Sequence, residues 1–360
     1  MVKNRAGQKI FEGLSVNDNP LVIGNNNTPD CKNVRVENPI GTLTNIEGME
    51  KQHTSNYGDD IVGIHQLNEM GVFGDSTIPI QRDAYYKWGI LGSGNGELDN
   101  PHGVAVYNDE VYVADKGNDR IQVFDLGGNY QRKWGSAGAG DGEFNLLVGI
   151  TVYNDEVYIV DHNAMRIQVF DLQGNYKRQW GSSGSATGEF NSPYGIAVYN
   201  DEAFVTDSAN HRIQVFDTTG TFKRKWGSGG SGDGEFNVPN GIMVYNDEVY
   251  VADKYNRRIQ VFSLGGTFKR QWGSQGSGDG EFERVSGIAV YNDEVFVTNT
   301  WIDHRIQVFS LGGTFKRKWG SGGSGDGEFN APTRIAVYSG EIYVCDTVNS
   351  RIQVFNLYGN

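Results

Sequence analysis

The chain has little of what builds disulfide-rich or membrane-spanning proteins. Its 360 residues include 2 cysteines, too few for a disulfide framework. The apolar run of roughly 18 residues that a membrane-spanning helix needs is missing, so we expect no membrane insertion. No apolar stretch follows the basic residues near the start, which predicts no secretory signal peptide.

Positive charge is also scarce. The sequence has 44 acidic residues against 31 basic ones, a formal net charge of −13. Such a charge repels nucleic-acid backbones and anionic membranes unless a local basic patch overrides it. We therefore expect no nucleic-acid binding.

Glycine, by contrast, is abundant, with 50 residues, and much of the chain repeats. The string RIQVF occurs six times, starting at Arg120, Arg166, Arg212, Arg258, Arg305 and Arg351. Trp-Gly pairs recur with the same spacing of 46 or 47 residues, at Trp88, Trp134, Trp180, Trp226, Trp272 and Trp319. Each repeat holds four short runs that alternate in the two-residue period of strands, separated by Asn-Asp, Gly-Gly or Gly-Ser turns. Each repeat therefore predicts a four-stranded antiparallel meander.

Repeats of this kind bury their faces against one another around an axis, as the blades of a β-propeller do. The last repeat lacks its fourth strand, while residues 83–89 form a fourth strand that precedes the first complete repeat. The sequence thus predicts an all-β fold in which residues 83–360 form a six-bladed propeller closed by strand 83–89. Residues 1–82 carry no repeat and predict a β-rich arm or a small docking segment.

The repeat also resembles a known family. The consensus of the copies, GIAVYNDEVYVAD followed by N-x-RIQVF, resembles the NHL repeat, and the similarity extends over residues 84–360. This resemblance implies a six-bladed propeller. NHL propellers bind proteins, peptides, glycans or RNA, and some relatives are enzymes, so the resemblance does not fix a function.

Positions that are alike in every copy are expected to serve the scaffold. The aspartates that end the second strands should accept turn amides and face the arginine five residues later; they are Asp115, Asp161, Asp207, Asp253 and Asp346. The Gly-Glu pairs before the first strands predict turns, with Ca²⁺ binding as the alternative; their acids are Glu97, Glu143, Glu189, Glu235, Glu281 and Glu328. The basic residues of the fourth strands, such as Lys223, Arg224 and Lys225, predict a solvated outer edge.

Variable positions gather on one rim, because the fourth-to-first and second-to-third connections of a meander emerge on the same side. Loops on a rigid scaffold are where recognition usually occurs, and the alternative is drift of loop tips after duplication. The predicted binding rim comprises His102, Lys116, His162, Tyr194, His211, Asn240, Lys254, Tyr255, Trp301, His304 and Thr333. Trp301, the one tryptophan outside the periodic set, lies in a loop one residue longer than the others and is the expected anchor.

Catalytic signatures are weak. No nucleophile elbow, zinc-protease, phosphate-loop or dinucleotide motif stands in a fitting context. The rim histidines occupy non-equivalent positions on different blades, which argues against a shared metal. The sequence therefore predicts a protein that is not an enzyme and that holds no cofactor and no metal.

The N-terminal segment resembles the opening of phage tail nozzle or hub proteins and related head-to-tail proteins. The residues that carry the resemblance are GLSVNDNPLVIG and PDCKNVRVENPIGTLTNIEGMEK. It implies a virion structural protein whose partners are other virion subunits or a surface receptor, arranged as a homo-oligomeric ring. The alternative is a free-standing cytoplasmic propeller that binds a protein, peptide or glycan on the rim.

Overall fold

The computed structural model divides the chain into two compact units, Met1–Gln81 and Arg82–Asn360. Of the first unit the structure describes four short strands, which pair as two antiparallel sheets: Val2–Lys3 with Lys9–Ile10, and Val34–Glu37 with Thr42–Asn45. Residues 86–360 are described in full. The predicted arm, residues 1–82, otherwise lies outside the described residues.

Residues 86–360 form six four-stranded antiparallel sheets, the blades, and this confirms the predicted six-bladed propeller. In chain order, blade 1 comprises Pro101–Tyr107, Glu110–Asp115, Arg120–Asp125 and Tyr130–Trp134, and blade 2 comprises Leu147–Tyr153, Glu156–Asp161, Arg166–Asp171 and Tyr176–Trp180. Blade 3 comprises Pro193–Tyr199, Glu202–Asp207, Arg212–Asp217 and Phe222–Trp226, and blade 4 comprises Pro239–Tyr245, Glu248–Asp253, Arg258–Ser263 and Phe268–Trp272. Blade 5 comprises Val285–Tyr291, Glu294–Asn299, Arg305–Ser310 and Phe315–Trp319, and blade 6 comprises Pro332–Tyr338, Glu341–Asp346, Arg351–Asn356 and Tyr86–Trp88.

Little other regular structure occurs in this part of the chain. Two short parallel pairs join Ser136–Ala137 to Glu143–Phe144 and Ser274–Gln275 to Glu281–Phe282. Two 3₁₀ turns cover Lys116–Asn118 and Ser208–Asn210. Within the described residues, no helix is long and apolar enough to cross a membrane.

The ring closes as predicted. Tyr86–Trp88 pairs antiparallel with Arg351–Asn356 and supplies the fourth strand of blade 6, with Trp88 opposite Ile352. Residues 83–85 of the predicted closing strand lie outside the described residues. The first and last parts of the propeller are thus joined by main-chain hydrogen bonds, which leaves no open edge between blades 6 and 1.

The core lies between neighbouring blades. Val104 and Phe124 of blade 1 pack in one cluster with Tyr343 and Ile352 of blade 6, and equivalent clusters form between the other blades. Trp88 covers the third hairpin of blade 1 so closely that a Cβ on Gly128, at φ +82°, would lie 2.6 Å from its ring. This explains why a glycine recurs in that hairpin.

A buried aspartate–arginine pair, here named the clasp, ties each of five blades together. In blade 1 the carboxylate of Asp115 accepts from Arg120 Nε at 2.7 Å and from the backbone N–H of Asp99 at 2.7 Å. The Arg120 guanidinium also donates to the carbonyls of Gly94 and Glu97 in the preceding loop. The predicted aspartate–arginine contact is therefore confirmed, and it also fixes the loop that leads into the blade. Blade 5 has Asn299 in this position, and its Arg305 lies 3.5 Å from Asp303 instead.

The recurring Gly-Glu pairs make turns, as predicted. The carboxylate of Glu97 accepts the backbone N–H of Gly94 three residues earlier, at 2.7 Å, and the equivalent glutamates do the same. Within residues 86–360, no group of three or more histidine, cysteine or acidic side chains is arranged to hold a metal ion.

The prediction of a solvated outer edge is wrong for the arginines of five fourth strands. Arg224 pairs with Glu202 at 2.5 Å and donates from Nε to the carbonyl of Leu264 in the next blade at 2.9 Å. The guanidinium holds the pKa of Glu202 at about 2, below its usual value of 4.5. Equivalent bonds to the next blade are made by Arg132, Arg178, Arg270 and Arg317. The sequence did not reveal this role, because adjacent basic residues of a strand look alike in sequence. In the structure one of the two side chains points outward, while the other reaches the neighbouring blade.

Deleting the closing strand should open blade 6. We expect a chain that lacks residues 1–89 to lose several kcal/mol of unfolding free energy relative to one that lacks residues 1–82, because burial of Trp88 and Tyr86 is lost. Urea unfolding of the two chains measures the difference. Equal midpoints and slopes would show that the strand does not contribute to closure.

Candidate functional site

The first strands of the six blades surround a central cavity of about 270 Å³. Its wall is largely backbone and aliphatic side chains, and Arg334 is the one charged residue among the described lining residues. Arg334 and the equivalent Gly149, Gly195 and Gly241 are the first lining residues of their strands, so they mark one end of the cavity. The mouth beyond this end is formed where each first strand begins beside the end of the second, as Pro101 does opposite Asp115.

Each blade contributes two positions to this mouth. The inner position is the second residue of the first strand: His102, Val148, Tyr194, Asn240, Ser286 and Thr333. The outer position directly follows the end of the second strand: Lys116, His162, Ser208, Lys254, Thr300 and Thr347. Both sets vary in sequence on a backbone that the clasps hold in nearly the same shape.

In four blades the outer position serves the scaffold. His162 Nδ1 lies 2.8 Å from the carbonyl of Pro193, which begins the first strand of the next blade. Ser208, Thr300 and Thr347 donate to the equivalent carbonyls of the blades that follow them. Lys116 and Lys254 make no such bond to the described residues, and their side chains are available for another role.

Aromatic and cationic side chains alternate from the outside of the mouth to the axis. The Arg284 guanidinium lies 4.4 Å from the centre of the Trp301 ring and 5.5 Å from that of Tyr255. Lys254 Nζ lies 5.4 Å from the Tyr255 ring and 5.8 Å from the Tyr194 ring. The guanidinium of Arg334 lies 5.2 Å from the centre of the Tyr194 ring. Cation–π contacts of this kind hold these aromatic and cationic side chains in place without a carboxylate.

Two histidine rings meet Tyr194 edge-on. The ring centres of His102 and His162 lie 5.2 and 5.4 Å from that of Tyr194. His102 Nδ1 is 3.2 Å from the carbonyl of Val148, which assigns the proton to Nδ1 and makes Nε2 an acceptor. The Tyr194 hydroxyl lies 2.8 Å from that Nε2 and donates to it. A neutral histidine and a phenol in contact can exchange a proton, so the mouth also offers groups for acid–base chemistry.

Positive charge dominates the mouth. Lys116, Lys254, Arg284 and Arg334 form no ion pair with any described residue. Burial, followed by the repulsion of Arg284 and Arg334, lowers the pKa of Lys254. Burial, then Arg334 and Lys116, lowers the pKa of His102 well below 6.5, so this histidine is neutral at pH 7. These cations repel one another in a protein of net charge −13, and the arrangement attracts an anion and repels a metal ion.

The structure brings nine of the predicted rim residues to the mouth: His102, Lys116, His162, Tyr194, Asn240, Lys254, Tyr255, Trp301 and Thr333. His211 and His304 do not join them. Each accepts a backbone N–H through Nδ1 at 3.1 Å, from Val238 and Ala331 respectively, and so ties its loop to the segment that leads into the next blade.

Two further residues of the mouth are not among those that the sequence predicted. Arg334 stands where the other five copies have Gly103, Gly149, Gly195, Gly241 and Gly287. Arg284 stands where the other copies have Asn100, Leu146, Ser192, Val238 and Ala331. A position-by-position comparison of the repeats would have found both, because each places a charge where no other copy has one.

The matches to known proteins agree with this architecture. A family model described as 6-bladed beta-propeller matches residues 94–178, 145–202, 189–248, 239–290 and 281–360. The chain belongs to this family. No curated protein matches it by sequence.

Several solved structures share the fold of this family member. A structural genomics protein of unknown function from Bacteroides thetaiotaomicron is 16% identical with a TM-score of 0.58, over 76% of each chain. A streptogramin B lyase is 14% identical with a TM-score of 0.53, over 76% of this chain and 98% of that one. A virginiamycin B lyase from Staphylococcus aureus is 15% identical with a TM-score of 0.51, over 76% and 88%. At these identities the likeness shows the fold alone.

These lyases correct one prediction. The sequence predicted a protein that is not an enzyme, whereas propellers similar to this one include enzymes, so that prediction is wrong. It rested on missing short motifs, which are contiguous in sequence. In a propeller, side chains that meet at the mouth come from different blades, as His102 and Tyr194 do here.

The depressed pKa of His102 predicts a pH dependence of stability. The unfolded chain takes up a proton near pH 6.5, before the folded chain does, so stability is lost as the pH falls below that value. We expect the unfolding free energy to decrease from pH 7.5 to pH 5.5, and to decrease less in His102→Gln. Urea unfolding at both pH values measures this. Equal pH dependence in the two proteins would contradict it.

Proposed function

We propose that this propeller binds an anionic ligand that carries a planar ring, at the mouth of its central cavity. The observation that carries the proposal is the gathering of Lys116, Lys254, Arg284 and Arg334 without a carboxylate partner among the described residues. Elsewhere in the described blades, the clasp arginines and the fourth-strand arginines are paired with acids. Unpaired, partly buried cations are costly, and a bound anion offsets that cost.

The aromatic residues support the second half of the proposal. Tyr255 and Trp301 are 39% and 51% exposed, and each lies against the Arg284 guanidinium. A ligand ring stacking on their open faces gains dispersion energy while its charge lies near Lys254 and Arg284. The binding role predicted for Trp301 is therefore part of this proposal, with the ring of the ligand stacking on its indole.

A fluorescent anion tests the proposal. We expect 8-anilinonaphthalene-1-sulfonate to bind the folded protein, and Lys254→Gln to weaken that binding about tenfold, a loss of roughly 1.4 kcal/mol. Trp301→Ala should weaken it as well. Fluorescence titration gives the dissociation constants.

Two matched controls separate a site from general attraction. Lys133→Gln removes the same charge from an exposed lysine of a fourth strand and should leave the affinity unchanged. N-phenyl-1-naphthylamine has the same rings without the sulfonate and should bind far more weakly. Equal loss in both lysine variants, or equal binding of both dyes, would reject the anion site.

We also propose that the repeats are of the NHL type. We propose further that the protein that carries this site is a virion component. The support is the sequence resemblance of residues 13–24 and 29–51 to phage head-to-tail proteins. In that setting the partners are other virion subunits or a surface receptor, in a ring of identical chains. The second setting is a free-standing cytoplasmic binder.

Sequencing the reading frames next to this gene distinguishes the two settings. We expect neighbours that resemble portal, capsid or terminase genes, because virion genes lie together. Neighbours of metabolic or regulatory type would reject the virion setting while leaving the anion site untouched.

A further inference from the structure

The first strands approach one another closely near the mouth. In five blades the third residue of the first strand is glycine, and a Cβ on Gly149 would lie 2.6 Å from the carbonyl oxygen of Tyr194 in the next blade. The equivalent carbonyl oxygens of the six blades surround the axis at one level; they belong to His102, Val148, Tyr194, Asn240, Ser286 and Thr333. Six oxygens around an axis form the type of ring that binds a cation.

Arg334, in place of the sixth glycine, reaches across this ring. Its Nη1 donates to the carbonyl of Ser286 at 3.1 Å and to Asn240 Oδ1 at 2.9 Å. Its Nη2 donates to the carbonyl of Tyr194 at 3.1 Å and lies 3.4 Å from that of Asn240. One guanidinium therefore binds blades 3, 4 and 5 from blade 6.

One histidine and two threonine side chains donate to the remaining oxygens of the ring. The carbonyl of Val148 accepts from His102 Nδ1, that of Thr333 from Thr298 Oγ1 at 2.7 Å, and that of His102 from Thr333 Oγ1 at 3.0 Å. Every oxygen of the ring thus has a donor from within the chain. No site is left at this level for a metal ion while Arg334 is in place.

The charge of Arg334 is balanced in an unusual way. Its side chain is 9% exposed, and no described carboxylate pairs with it. A buried charge normally needs an opposite charge, and here the dipoles of main-chain carbonyls stabilise the guanidinium instead. Removing the guanidinium while leaving the oxygens would expose partly negative groups to an empty space.

We propose that the carbonyl ring is a cation site which the chain occupies with its own guanidinium, so that Arg334 seals the central cavity and locks four blades together. This inference goes beyond anion binding and does not depend on it. In the proposed arrangement the mouth is a closed pocket with a positive floor, and the cavity below it is not continuous with it. A cation of matching shape should replace the side chain when it is cut away.

Arg334→Gly, which gives blade 6 the residue of the other blades, provides the test. We expect its thermal unfolding midpoint to fall by about 5 °C or more. Guanidinium chloride at millimolar concentration should restore the midpoint with saturation, whereas choline chloride at equal ionic strength should not. The wild-type protein should show no such recovery, because its site is filled. A midpoint equal to that of the wild type, or no difference between guanidinium and choline, would overturn the proposal.

Two further variants keep the test decisive even where the glycine variant fails to fold. Arg334→Met fills the space without charge and should be less stable than the wild type and unresponsive to guanidinium. Arg334→Lys keeps a cation and three donors, and its stability should lie between that of the methionine variant and that of the wild type. A methionine variant as stable as the wild type, or a lysine variant no more stable than the methionine one, would show that volume and not charge matters here.

Discussion

The buried clasp is the interaction on which the rest of this propeller depends. One aspartate carboxylate, as in Asp115, receives both the arginine of the third strand and a backbone amide of the incoming loop. Because the arginine also binds carbonyls of that loop, losing either partner would leave a buried charge uncompensated, at a cost of about 3–5 kcal/mol. The clasp thereby sets where the next residue points, and in each of the five blades that have a clasp this next residue lies at the mouth. Blade 5 replaces the aspartate with Asn299, and its longer loop is the one that presents Trp301.

The clasps also explain how an acidic protein comes to have a cationic mouth. Its recurring acidic residues form ion pairs with the arginines of the clasps and of the fourth strands, or accept hydrogen bonds in turns, as Glu97 does. The four cations at the mouth are left without such partners among the described residues. At partly buried positions the local field of a few close charges outweighs that of distant, screened ones, so the net charge of −13 says little about this surface. An expectation drawn from net charge alone concerns the average surface and not this one.

The blades could be predicted from the sequence because their signals are local. Period-two alternation and turn pairs fix each strand within a few residues, and counting strands places Tyr86–Trp88 in blade 6. Most of the mouth followed from asking which positions vary between copies. Arg334 did not follow, because it lies inside a first strand and its hydrogen bonds go to carbonyls that are up to 140 residues away in sequence. Arg284 did not follow, because it precedes a first strand at a position that was not compared between the copies. His211 was assigned to the mouth for the opposite reason: a loop position was treated as exposed when its ring serves a backbone amide.

At the outer position, four residues bond to the next blade and two lysines do not. This difference has a consequence for the evolution of such a propeller. Serine, threonine or histidine there makes one hydrogen bond to the next blade, as Ser208 and His162 do, and a lysine at this position gives up that bond. The loss is about 1 kcal/mol, small against the stability of a domain of this size. Each blade can therefore exchange its contribution independently of the other five. A new specificity can be assembled one repeat at a time, by ordinary point substitutions, while the scaffold stays folded at every step.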